Sequence, residues 1–342
     1  MIEARVPARV GLLGNPSDGY GGKCLSLAID NFAATVRLER TDDYHVEVVP
    51  GPEDRRWWRT SLDLVDWVDR YGVGTGDALL TATIRTFLRV VDSVEHQRPP
   101  GFRLSYETDI PRQVGLAGSS ALVVGALQCL AEFVDLDLPP DALASIALSV
   151  ETETLGITAG LQDRVAQSYG GLVAMDFSTM DVDSRFAVST GRYTPLETDA
   201  LPPLFLAYHT QAAAESGIYH QDLRARHDGG DQMVGATMRS LAHLVPEGRA
   251  ALTWQDTDGS RAEHFGRLIA RNMELRSRFG GLTDLQQLLV DTADQHGWPV
   301  TSTGSGGAVV GVWDGKDLSK LAEAFGSIGA EVESIVPAPS RA

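Results

Sequence analysis

Cysteine is nearly absent from this 342-residue sequence, and its two residues, Cys24 and Cys129, are too few for a disulfide framework and lack metal-ligand spacing. Cys129 falls inside an apolar run and reads as core packing. The eight histidines show no metal-ligand spacing either. Lysine is scarce (Lys23, Lys316 and Lys320), so arginine carries most of the positive charge. That charge is itself in short supply: 29 basic against 46 acidic side chains leave a net −17, which argues against nucleic acid as a partner. No apolar run reaches the roughly 20 residues of a membrane span, and the opening Met-Ile-Glu-Ala-Arg lacks the basic-then-apolar pattern of a signal peptide. The expectation is a soluble cytoplasmic protein with neither a nucleic-acid nor a membrane partner.

What is present is ordinary globular material, 43% hydrophobic and 22% charged, in a length that suggests two domains. Segments 8–13, 25–38 and 44–49 have strand character, and helical periodicity covers 61–71 and 77–94. A strand over 102–110 precedes a glycine-serine turn and a long apolar helix over 121–134. Asp141 is placed to cap a further helix, and a short one follows over 161–168. A strand at 172–177, a polar connection over 178–203 and a strand at 204–209 come next. Helices are expected at 214–227, 231–246, 261–279 and 284–297, then strand 308–313, helix 317–328 and strand 331–336. Mixed elements with no strict βαβ repeat predict an α+β fold.

The glycine-serine turn lies in residues 111–122, Pro-Arg-Gln-Val-Gly-Leu-Ala-Gly-Ser-Ser-Ala-Leu. A turn of this composition opening a helix gathers backbone N–H groups at the positive end of the helix dipole, where a phosphate can sit. Glycine permits close approach of the anion, and a serine hydroxyl can cap the helix or reach a metal held by the phosphates. By itself the segment is equally a capped helix.

Two other segments change its weight: residues 7–22, Pro-Ala-Arg-Val-Gly-Leu-Leu-Gly-Asn-Pro-Ser-Asp-Gly-Tyr-Gly-Gly, and 303–308, Thr-Gly-Ser-Gly-Gly-Ala. In this order and at these separations the three resemble the signatures of the GHMP small-molecule kinases, over about residues 5–337. Residues 9–18, 110–113, 156–167 and 304–310 look like the glucuronokinase branch, which phosphorylates the anomeric hydroxyl of D-glucuronate. The resemblance implies an N-terminal ribosomal-S5-like domain, set at 1–195, that binds ATP. It also implies a ferredoxin-like C-terminal domain over 196–342, with the active site between the two.

The resemblance also implies roles. Gly115, Leu116, Ala117, Gly118, Ser119 and Ser120 would cradle the ATP phosphates, with Ser120 touching Mg²⁺. Asp163 would be the catalytic aspartate, whose carboxylate can take the proton of the attacking hydroxyl. Arg9 would stand beside it and steady the developing charge. Glu151 is the second Mg²⁺ ligand by alignment, with Glu153 an open alternative. Asn15 and Asp18 fall where sugar kinases bind substrate hydroxyls; galactokinases have a glutamate where Asn15 stands, which suits an anionic sugar here. Gly304, Ser305, Gly306 and Gly307 would form a close-approach loop near substrate. A uronate carboxylate demands a cation, and Arg164, Arg112 and Lys23 are the candidates because each lies in a motif. Trp57-Trp58 could flank adenine, although a hydrophobic contact between helices fits them better.

The expected activity is an ATP- and Mg²⁺-dependent sugar 1-kinase making D-glucuronate 1-phosphate, with a small uronic acid as substrate partner. The alternatives are the same fold acting on galacturonate, a neutral hexose or a heptose phosphate, and a non-catalytic binding protein that keeps the fold.

Overall fold

β1 (Ile2–Leu13) and β2 (Lys23–Arg40) form a long antiparallel pair at the centre of the first half. From Val6 onward β1 is buried at every position, so it reads as a continuous run rather than an alternation. The computed structural model that shows this describes residues 1–41, 45–49, 56–73, 78–209, 223–254, 260–279 and 282–341. β3 (Val46–Val49), β4 (Arg56–Trp58), β5 (Phe102–Thr108), β6 (Leu172–Asp183) and β7 (Val188–Leu196) complete a seven-stranded sheet. Its order is β4-β3-β5-β2-β6-β7, with β1 also on β2. Helices α1 (Ser61–Tyr71), α2 (Ala78–Ser93), α3 (Gly118–Phe133), α4 (Pro140–Ser149) and α5 (Gln162–Tyr169) belong to this half. α3 lies close on β1 and β2 because Gly125 faces Val36 and Val6; a Cβ there would stand 2.8 Å from the Val36 side chain.

The second half holds β8 (Leu204–Tyr208), β9 (Val300–Ser302), β10 (Ala308–Val312) and β11 (Glu331–Ser334), in the all-antiparallel order β11-β8-β10-β9. With helices between β8 and β9 and between β10 and β11, this is the ferredoxin-like arrangement. Its own core centres on Phe205 and Phe325, whose rings lie 5.7 Å apart, with Trp298 stacked on Phe325. The helices Gln232–Thr253 and Ser260–Ser277 also pack against β1, joining the halves. The molecule is therefore α+β, as expected.

Several elements differ from the sequence reading. The connection over 178–203 contains β7, which forms a hairpin with β6; with few apolar residues and one covered face it shows no alternation. β4 and β9 are three residues each and too short to register as a pattern. Asp141 is not the cap of α4: the helix begins at Pro140 after Pro139, and Asp141 sits in the first turn, accepting from the Ala142 N–H. Helix Gln232–Thr253 continues through Pro246, beyond the expected end at 246. Trp58 packs edge-on against Trp67 of α1, a strand-to-helix contact. Of the predicted helix at 214–227, residues 214–222 lie outside the described residues, as do 44 and 77 at the starts of two other predicted elements. Among the described residues no helix is long and apolar enough to cross a membrane.

The chain ends by returning to the first sheet. The N–H of Asp30 donates to the Val336 carbonyl, that of Ala338 to Ala28, and that of Arg341 to Tyr169. Asn31 is the clasp: its Nδ2 donates to the Glu333 carboxylate and the Ser334 carbonyl at 2.9 Å each, and its Oδ1 accepts from the Val336 N–H at 2.9 Å. Asn31→Ala removes all three and is expected to cost about 1–3 kcal/mol, read as a lower urea midpoint. An unchanged midpoint would show the tail to be held by its backbone contacts alone.

Candidate active site

The three glycine-bearing segments meet at one side chain. Arg9, buried on β1, donates from Nε to Asp163 Oδ1 at 2.7 Å and from NH1 to the carbonyls of Gly115 at 3.0 Å and Thr303 at 2.7 Å. Its NH2 closes the ion pair with Asp163 at 2.5 Å. The backbone adds to the junction, since the N–H of Arg9 donates to the Leu116 carbonyl and that of Gly11 to Thr303. Asp163 is thereby held through Oδ1 alone. Its Oδ2 has no hydrogen bond among the described residues and stands 3.8 Å from Arg164 NH1.

A cavity of about 630 Å³ opens beside this junction, between the two halves. One wall is the turn into α3. Gln113, Gly115 and Ala117 all have positive φ, and Ala117 occupies the position before α3 with φ 65° and no side-chain cap over the first-turn N–H groups. Such a conformation costs an alanine about 1–2 kcal/mol. Gln167, one turn beyond Asp163 on α5, donates from Nε2 to the Ala117 carbonyl at 2.8 Å and helps hold it. Neither serine caps the helix: Ser119 is exposed, and buried Ser120 donates from Oγ to the Ala117 carbonyl at 3.1 Å. The glycine loop of 304–307 is pressed against this turn. A Cβ on Gly306 would lie 2.1 Å from Gly115 N, and one on Gly304 would lie 2.7 Å from the Gly115 carbonyl oxygen.

The opposite wall is the short turn Ser17–Tyr20. Asp18 accepts from the Gln162 N–H at 3.2 Å, and its pKa is pushed up to about 6 by burial and by the like charge of Asp163, against the hydrogen bond from Gln162 and the charge of Arg9. Asn15 also borders the cavity, but its amide is engaged: Nδ2 donates to the Ser302 carbonyl and Oδ1 accepts from Asn272.

Beyond Ser149, α4 widens into a single π-helical turn, Val150–Thr154, closed by Leu155 N–H to the Val150 carbonyl at 3.1 Å. The widened turn leaves Glu151 buried at the cavity and Glu153 exposed outside it. Glu151 is ion-paired with buried Arg164, whose NH1 also donates to the Gly160 carbonyl at 2.6 Å. Among the described residues no three His, Cys, Asp or Glu side chains gather into a site that could hold a metal by themselves.

Most of the expected site residues border this one cavity: Arg9, Asn15, Asp18, Glu151, Asp163 and Arg164, the segment from Gly115 to Ser120, exposed Arg112, and Gly304 to Gly306. Lys23 does not, because it faces Asp176, its cross-strand partner, at 2.6 Å. Gly307 lies behind the wall, its carbonyl accepting from the His209 N–H. Sequence reasoning missed Arg224 and Arg276, both on the cavity wall. Neither belongs to a motif, and no local pattern marks them.

The Asp18 assignment has a consequence for stability. A carboxyl whose pKa rises from 3.8 to about 6 on folding contributes stability that is present below pH 3.8 and is lost as pH rises through 6. Asp18→Asn removes that loss, so the stability of the variant relative to the parent should grow between these limits, measured by urea unfolding at a series of pH values. A difference that stays flat across the range would place Asp18 in contact with solvent.

Known proteins resemble this chain in sequence and in fold. The family profile of the GHMP kinases N terminal domain matches residues 78–171. Glucuronokinase 1 of Arabidopsis thaliana is 41% identical over 318 residues, which span 90% of this chain and 84% of that protein. Probable glucuronokinase 2 of the same plant is 40% identical over 318 residues, 91% and 84% of the two chains. The crystal structure of Lactococcus lactis galactokinase with galactose superposes with a TM-score of 0.75 at 16% identity, over 99% of this chain and 94% of that one, a likeness of fold.

Proposed function

The chain belongs to the GHMP kinases, and we propose that it transfers the γ-phosphate of ATP to the anomeric hydroxyl of D-glucuronate, giving D-glucuronate 1-phosphate. It is a phosphotransferase with a small-molecule hydroxyl as acceptor. The observation that carries the chemistry is the asymmetry of Asp163, which lines the cavity: one carboxylate oxygen is locked by Arg9, and the other makes no hydrogen bond among the described residues. That oxygen is free to take the proton of a sugar hydroxyl as the bond to phosphorus forms. Arg9 keeps the carboxylate in place and sets positive charge where negative charge develops on the transferred group.

The turn from Gly115 to Ser120 supplies uncapped N–H groups for the phosphates at the start of α3. Asp18 and Asn15, which line the cavity, would face the sugar, and Gly304 to Gly306, which line it too, would bring backbone close to the ligands. For Mg²⁺, Ser120 and Glu151 are a fitting donor pair: one hydroxyl and one carboxylate, both buried at the cavity, suit an ion that takes its remaining ligands from phosphate oxygens and water. When bound, the ion would offset the charge of the phosphates. Arg164 holds Glu151 through Oε2, so the ion would take Oε1. The proposed division into 1–195 and 196–342 falls at the end of β7 (Val188–Leu196), with the seven-stranded sheet before it and the four-stranded sheet after it. Use of ATP fits a cytoplasmic location.

The experiment is ADP release from ATP and Mg²⁺ with D-glucuronate, D-galacturonate, D-glucose and D-galactose compared in parallel. Turnover should be greatest on glucuronate; a stronger response to another sugar would replace the substrate and leave the chemistry standing. Asp163→Asn should lower kcat by about 10²- to 10⁴-fold while ATP still binds. Undiminished turnover in that variant would remove Asp163 as the base.

A further inference from the structure

A uronate carries a carboxylate on C5, on the other side of the ring oxygen from the reacting C1 hydroxyl, so its receptor should stand away from Asp163. Within the first half the motif cations are committed elsewhere. Arg9 is bound to Asp163, Arg164 to Glu151, and Lys23 to Asp176 outside the cavity. Arg112 is exposed beside the turn into α3, on the phosphate side. From the second half, Arg276 donates to the carbonyls of Asn15 at 3.2 Å and Gly304 at 2.8 Å, and so braces two loops.

Arg224 is placed differently. It lies on the cavity wall against the sugar-side turn, with NH1 donating to the Gly19 carbonyl at 2.7 Å and the guanidinium 5.6 Å from the centre of the Tyr20 ring. Its side chain is 51% exposed, its Nε reaches Asp228 at 3.1 Å, and its NH2 makes no hydrogen bond among the described residues. A guanidinium held at Nε and NH1, lying over an aromatic face and open at NH2, can donate a charged hydrogen bond to a carboxylate oxygen. Resting on the glucuronate reading above, we propose that Arg224 binds the uronate carboxylate and so determines specificity for an anionic sugar. Recognition of the carboxylate then comes from the half of the chain that carries neither the proposed base nor the proposed metal-ligating groups.

The test compares D-glucuronate with D-glucuronamide, its neutral counterpart, in the parent enzyme and in Arg224→Gln and Arg224→Lys, by kinetics and by calorimetric binding. The parent should favour glucuronate. Arg224→Gln should lose roughly 10- to 100-fold in kcat/KM for glucuronate, mainly through KM, with glucuronamide unaffected, and Arg224→Lys should keep part of the preference. Equal losses on both sugars would mark Arg224 as a brace for the turn and overturn the assignment. So would a preference that survives Arg224→Gln but collapses in Arg112→Gln. A parent enzyme silent on glucuronate would overturn the substrate reading and this assignment with it. An active parent whose preference is untouched by either Arg224 variant would overturn the assignment alone.

Discussion

Everything at this site is hung from the Arg9 guanidinium. It is a planar fork with fixed donor directions, and here those directions define where two distant pieces of backbone and one carboxylate must be. A buried cation with this many acceptors is satisfied only if the turn into α3, the loop after β9 and the start of α5 all arrive together. The pair with Asp163 is thus as much a gauge of assembly as an element of the chemistry. Lysine could match the charge but not the fork.

The glycines follow from the same crowding. Gly304 and Gly306 have no room for a Cβ because the turn at Gly115 occupies that space. The third motif is therefore glycine-rich for reasons of contact with the second, in addition to any contact with ligand. Gln167 and Asp163 share one face of α5, so the helix that holds Asp163 also steadies the strained Ala117. Arg9 fixes the other end of that arrangement. The turn into α3 and the Asp163 carboxylate are kept in mutual register by only a few side chains.

The sequence displays what is local. Apolar periodicity marks α1, α2, α3 and the central strands, the three motifs mark the turn into α3, Arg9 and the loop 304–307, and the segment 156–167 marks Asp163; the fold then gathers these around one cavity. What was not legible depends on tertiary placement. β7 is a polar strand that exists because β6 offers it an edge. Lys23 sits in a motif-like segment, but its position in β2 sets it opposite Asp176. Glu151 and Glu153 are two residues apart and chemically identical, and a widened helical turn separates them into a buried and an exposed group. Arg224 and Arg276 come from segments with no distinguishing pattern, so only the folded chain brings them to the cavity.

The span of these contacts has a consequence for how the molecule is made. Arg9 meets Thr303 across 294 positions, and Asn31 meets Val336 across 305. Closing loops of that length is the slow part of folding, because ordering entropy is lost before any contact compensates for it. A ribosome must therefore release nearly the whole chain before the Arg9 junction can form. The first sheet can collapse early, but the turn into α3 stays unbraced until the loop after β9 arrives. Catalytic competence is accordingly among the last properties this chain acquires.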